Sequence, residues 1–155
     1  MSGICARILP WLLLGAVLTV VCGAISYAIL ASQKLSDGPA DIVWDKTACS
    51  ACGMHVGEPG FAAQLTTKSG TIHAFDDPGC LFLFVEERRP EVHTIFFHHS
   101  RESRWLAIDT AAFVRVGKSP MGFGIAAVDP GTADSLTVGE ARRLCLERTA
   151  VHGGK

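Results

Sequence analysis

From Ile8 to Ala31 the chain carries no charged residue, a run of 24 positions reading ILPWLLLGAVLTVVCGAISYAILA. At 1.5 Å per residue, a helix of that length reaches about 36 Å, enough to cross a hydrocarbon core of about 30 Å. Arg7 precedes the run, Lys34 follows it, and Asp37, Asp41 and Asp45 come next. A basic residue ahead of the run favours an N-terminus in the cytoplasm and the remainder outside. Trp11 and Tyr27 lie near the two ends, where amphipathic rings prefer the interface. Residues 1–7 are therefore expected to form a cytoplasmic leader and residues 8–31 a retained single-pass anchor. Two alternatives stay open. Cys22-Gly23-Ala24 supplies the small residues of a signal-peptide cleavage site, although the run exceeds a 7–15-residue signal core. Cys22 is also a candidate for lipid attachment, although Val21 is larger than the residue that normally precedes such a cysteine. A buried core helix does not suit so long an uncharged run in a chain of 155 residues.

Beyond the anchor, 124 residues remain, with 13 Lys and Arg against 15 Asp and Glu. That is enough for one domain with a modest core. The chain as a whole is 48% apolar and 19% charged, which excludes a disordered polymer. Net charge is −1 and basic residues never run longer than two, so no nucleic-acid footprint is present. The stretch from Ser32 to about Pro39 (SQKLSDGP) is polar and turn-rich, and a linker over 32–44 leads into a domain at 45–155.

Local signals order that domain. Phe61 to Thr67 reads as a strand, Lys68-Ser69-Gly70 as a hairpin turn and Thr71 to Phe75 as the return strand. Asp77 followed by Pro78 is an N-cap with proline at the first helical position. A helix from Pro78 to Arg88 follows, stopped by Pro90, and Glu91 to Phe97 reads as a third strand. Shorter apolar segments recur at Trp105–Ile108, Ala112–Val116 and Phe123–Val128, before a helix from about Thr137 to Thr149. Strand–strand–helix–strand thus occurs twice, the second copy imperfectly, an α+β pattern.

The soluble part holds four cysteines: Cys49, Cys52, Cys80 and Cys145. Outside the cytoplasm these allow two disulfides in three connectivities. The Cys49-x-x-Cys52 spacing also suits a metal or a redox pair. Within it stands Cys52-Gly53-Met54-His55, where thiol, thioether and imidazole fall within four residues of a glycine-rich loop. Met121 likewise adjoins Gly122, and glycine frees a loop to present its neighbour's side chain. Either methionine alone is as well explained by packing. Together with the cysteines they form a soft donor set. Thioether and thiolate sulfur prefer Cu(I), whereas zinc takes Cys and His and rarely a thioether. A structural zinc site wants four ligands, and no second C-x-x-C or H-x-x-x-H is present. A Cu(I) site of Cys52, Met54 and Met121, completed by Cys49 or His55, is the expectation.

The stretches CGMHV, FAAQL, AFDDPG, WLAIDTAAFV and SPMG, in that order, resemble the NosL family over about Asp45 to Val128. The resemblance implies a periplasmic, membrane-tethered copper carrier that is not an enzyme and that helps mature nitrous oxide reductase, a protein of denitrification. It implies two ββαβ units, a topology shared with the organomercurial lyase. It places the copper role on Cys52, Met54 and Met121. The family's usual lipid-attachment cysteine is replaced here by the anchor run. The end at His152-Gly153-Gly154-Lys155, where relatives continue into a last strand, leaves the second unit open to being incomplete.

Other residues have plainer accounts. Asp76-Asp77 reads as a helix cap, since a hard carboxylate is a poor Cu(I) ligand. His98-His99 ends a strand, and at least one ring is expected to be exposed, with a part in metal hand-off as the sharper alternative. Cys80, in the first turn of a helix, has the setting for a lowered thiol pKa but reads first as a small buried residue. Cys145 reads as core. Two function classes follow: a Cu(I) carrier that releases its ion to an apo-enzyme by ligand exchange, and a thiol–disulfide oxidoreductase using Cys49 and Cys52. Against the second, Gly53, Gly57, Pro59 and Gly60 follow the pair, which is loop chemistry and not a helix start. In a mixed role, oxidation of Cys49 and Cys52 to a disulfide would remove a thiolate ligand and tie copper loading to redox state.

Overall fold

A computed structural model describes residues 2–32 and 35–152, with side chains at 11, 13–28 and 35–150. The flanking Lys34 and the chain end at 153–155 lie outside the described residues, as does the side chain of Arg7. Two compact units are present, 1–35 and 36–155.

The first unit is helix α1, Ser2–Ser32. It spans the whole charge-free run, and Trp11, Leu14, Leu18, Val20 and Tyr27 all stand exposed. Among the described residues no helix is long and apolar enough to cross a membrane.

The second unit begins with a segment that the domain holds in place. The Ala40 N–H donates to Gln64 Oε1 (2.8 Å), and Gln64 Nε2 donates back to the Ala40 carbonyl (2.6 Å). Strands β1 (Ala63–Thr67) and β2 (Ile72–Phe75) form the hairpin read from the Lys68-Ser69-Gly70 turn. Helix α2 (Pro78–Arg88) follows, then β3 (Val92–His98) and β4 (Trp105–Ala107). The four strands make one antiparallel sheet in the order β2-β1-β3-β4. The register pairs Ala63 with Phe75 on one side and Phe97 on the other, so every residue of the central β1 is buried. A second hairpin, β5 (Ala112–Arg115) with β6 (Ile125–Val128), leads to helix α3 (Val138–His152).

The doubled pattern is therefore present in part. β1-β2-α2-β3 is a full ββαβ unit. The second runs β5-β6-α3, and no returning strand follows among the described residues. β4, which precedes it, joins the first sheet beside β3.

Aromatic packing joins the two hairpins. Phe82 of α2 meets Phe97 of β3 and Phe113 of β5, with ring centroids 5.6 and 5.7 Å apart, and Phe97 meets Phe113 edge-on at 4.9 Å. Such pairs contribute beyond their buried area. At the start of α2, Asp77 caps as read: its Oδ1 accepts the Gly79 N–H at 2.9 Å, with Pro78 next in the chain. Gly79 has no room for a side chain, because a Cβ there would lie 2.1 Å from Cγ of Phe123. Helix α3 opens on a capping box, Thr137 N–H donating to Glu140 Oε2 (2.8 Å) and Glu140 N–H to Thr137 Oγ1 (3.3 Å).

Candidate metal centre

Residues 49–54 form a tight loop closed by a bridge between Ala48 and His55. Inside it the Cys49 N–H donates to the Met54 carbonyl (2.7 Å) and the Gly53 N–H to the Cys49 carbonyl (2.9 Å). Gly53 takes φ +77°, a left-handed conformation that suits glycine. The Ser50 N–H donates to the Ala74 carbonyl at 2.8 Å and pins the loop to edge strand β2. The strand then runs straight into Asp76, Asp77 and the start of α2, so the loop lies against the helix N-terminus.

Three sulfurs meet there. The Sγ atoms of Cys49, Cys52 and Cys80 all lie within 4.8 Å of one another. Cys49 and Cys80 are each 3% exposed, while Cys52 stands at the surface. A metal–thiolate bond of about 2.3 Å sets sulfurs about 4 Å apart in a trigonal plane. The three sulfurs therefore stand at about the spacing that one soft ion needs.

Their protons are unequally held. The Cys80 thiol donates a hydrogen bond to Cys49, and backbone N–H groups of Cys52, Asp76 and Ala51 add to it against the cost of burial. Together they lower Cys49 to about 5. Cys80, as the donor to Cys49 and buried as well, is pushed well above the usual thiol range. Burial also raises Cys52. Burial likewise raises Asp76 and Asp77, opposed by N–H groups that donate to each.

Cys80 has a neighbourhood that the sequence does not show. It is buried, as expected, and its sulfur also stands beside those of Cys49 and Cys52. Its place in the first turn of a helix was the available signal. Nothing local says that a loop some thirty residues earlier folds onto that turn. His55 is exposed and stands in the bridge with Ala48, outside the sulfur triad. Met54 is exposed at the end of the same loop. The Met121 N–H donates to Asp77 Oδ2 at 3.2 Å, which brings the Met121-Gly122 bend to the same helix end. Gly122 takes φ +76°. Cys145 is fully buried in α3, and burial raises its thiol to about 12, consistent with a core role.

A second group, His99, Glu102 and Asp129, also converges within 4.8 Å. Its chemistry is not that of a metal site. His99 Nδ1 accepts the backbone N–H groups of Arg101 (3.2 Å) and Glu102 (3.0 Å), so the ring proton sits on Nε2, which faces Asp129 at 3.7 Å. Arg104 already binds both carboxylates, Glu102 at 2.6 Å and Asp129 by a short ion pair. The expectation of an exposed ring at His98-His99 is overturned, since the two are 8% and 6% exposed. His98 is enclosed by Trp44 and Trp105, and its Nδ1 bonds the His99 carbonyl (3.0 Å).

No family profile matches the chain, and no curated relative does. A crystal structure of the copper chaperone NosL from Shewanella denitrificans is similar to it, at 23% identity and a TM-score of 0.49, covering 73% of this chain and 89% of that chain. The metal assignment rests on the three sulfurs and not on this likeness.

Proposed function

We propose that the chain is a Cu(I) carrier and not an enzyme. Cys49, Cys52 and Cys80 hold one ion, with Met54 and Met121 as thioether donors at its rim. The observation that carries this reading is the convergence of three sulfurs within 4.8 Å, two of them buried and one at the surface. Thiolate sulfur selects Cu(I) over harder ions, and a neutral thioether lets a better site take the ion away. The ion is cargo. It passes by ligand exchange to an apo-metalloenzyme, and nitrous oxide reductase is the recipient that the sequence motifs suggest. The uncharged sequence from Ile8 to Ala31, and not the helix as described, is what supports a single-pass inner-membrane anchor with the domain in the periplasm, where a recipient enzyme would be met.

The oxidoreductase reading fares worse. An exchanging thiol has to be both ionised and accessible. Here Cys49, whose thiol is held low, is buried, and Cys52, which is accessible, has its thiol pushed up.

The test is an anaerobic Cu(I) titration of the full-length chain against a competing chelator. One equivalent is expected to bind, and Cys52→Ser and Cys80→Ser are each expected to weaken it by at least about tenfold, the scale of one lost contact. Wild-type affinity in both variants would remove the site.

A further inference from the structure

The two parts of the centre come from distant pieces of chain. Cys80 belongs to α2, and Met121 lies in the β5–β6 loop, 44 residues beyond Asp77. One side chain touches both. Asp77 is fully buried. Its Oδ1 accepts the Gly79 N–H at 2.9 Å, fixing the helix turn that carries Cys80. Its Oδ2 accepts the Met121 N–H at 3.2 Å, and the Ser119 hydroxyl faces the same carboxylate. Ser119 in turn organises the loop, its Oγ accepting the Gly124 N–H (2.9 Å) and its carbonyl the Gly122 N–H (3.0 Å). From the far side Arg148 of α3 donates to the carbonyls of Gly122 (2.9 Å) and Phe123 (2.7 Å). Phe123 covers Gly79, so the helix turn and the loop pack as one body.

Resting on the copper-carrier reading, we infer that Asp77 is a positioning residue which couples the thiol arm at Cys80 to the thioether arm at Met121. The carboxylate is the group that this position requires. Donors approach both of its oxygens, and an ionised carboxylate is acceptor-only. An amide would keep one acceptor and turn N–H groups against an N–H. Asn caps a helix as well as Asp does, so Asp77→Asn keeps the cap and Cys80 in place while it releases Met121. An α2 cap serves only α2. A coupling residue also sets whether the thioether reaches the ion.

The experiment is a double-mutant cycle on the full-length chain with Cu(I), read by chelator competition and by sulfur X-ray absorption. Asp77→Asn and Met121→Ala are each expected to weaken binding by about tenfold, and the double variant is expected to be no weaker than either single one. Both singles are expected to lose the same thioether scattering and keep the thiolate scattering. Hydrogen exchange adds a direct readout: in Asp77→Asn the Met121 amide loses protection while the Gly79 amide keeps it. Effects that multiply to about a hundredfold in the double variant would overturn the coupling, as would unchanged binding in Asp77→Asn. Should Asp77→Asn not fold, Asp77→Ser, another good cap too short to serve Met121, carries the same cycle. A chain that unfolds with both overturns the inference, because Asp77 would then hold the fold and not the loop. Unchanged binding in Met121→Ala also overturns it, yet leaves the thiol site standing. Only wild-type affinity in both Cys52→Ser and Cys80→Ser removes the carrier reading itself.

Discussion

Cys49, Cys52 and Cys80 differ in how much work an incoming ion must do at each. Cys49 is held low, near 5, whereas Cys52 and Cys80 are pushed up, so a metal has to displace their protons. Metal affinity at such ligands rises as their protons become easier to remove. Between pH 6 and 9 Cys49 adds no pH dependence, because its value near 5 lies below that window. The other two do, and in the direction of tighter binding at higher pH. If both protons leave, Cu(I) affinity is expected to climb by about two decades per pH unit. Chelator competition at stepped pH, with proton release followed in weak buffer, checks both the sign and the count. A flat profile would mean that the ion leaves Cys52 and Cys80 protonated.

At the scale of elements, local chemistry and remote packing part company. The Asp77-Pro78 start of α2, its stop before Pro90 and the Lys68-Ser69-Gly70 turn are each written within a few residues, and each was readable before the fold was known. The placement of β4 in the first sheet was not, because a three-residue strand carries no mark of which neighbour it will pair with. Nor was the burial of both His98 and His99, which depends on Trp44, Trp105 and Arg104 arriving from elsewhere. Cys80 falls between the two cases: its helix position was legible and its partners were not. The same division orders the energetics. Removing the fully buried Phe113, which links β5 to Phe82 and Phe97, is expected to cost about 3–5 kcal/mol as Phe113→Ala. Thr137→Ala, which opens the exposed capping box of α3, is expected to cost about 1 kcal/mol. Urea denaturation of the full-length chain measures both, and equal costs would mean that Phe113 is not the joint between the hairpins.

Across the whole molecule, the centre lies where three pieces of chain abut: a loop leaned on an edge strand, a helix start, and the bend of a separate hairpin. The sequence motifs name most of the donors on these pieces, but their convergence belongs to tertiary packing. The pieces do not bury the donors evenly. Two sulfurs lie under the surface and the third lies at it. On the proposed carrier reading, a recipient would therefore meet residue 52 first. Hand-over on that reading would begin with an attacking thiolate or thioether from the acceptor while the inner pair still grips. The transfer rate should then climb in proportion to acceptor concentration and not plateau at a spontaneous escape rate, a distinction that stopped-flow mixing with a chromogenic acceptor resolves.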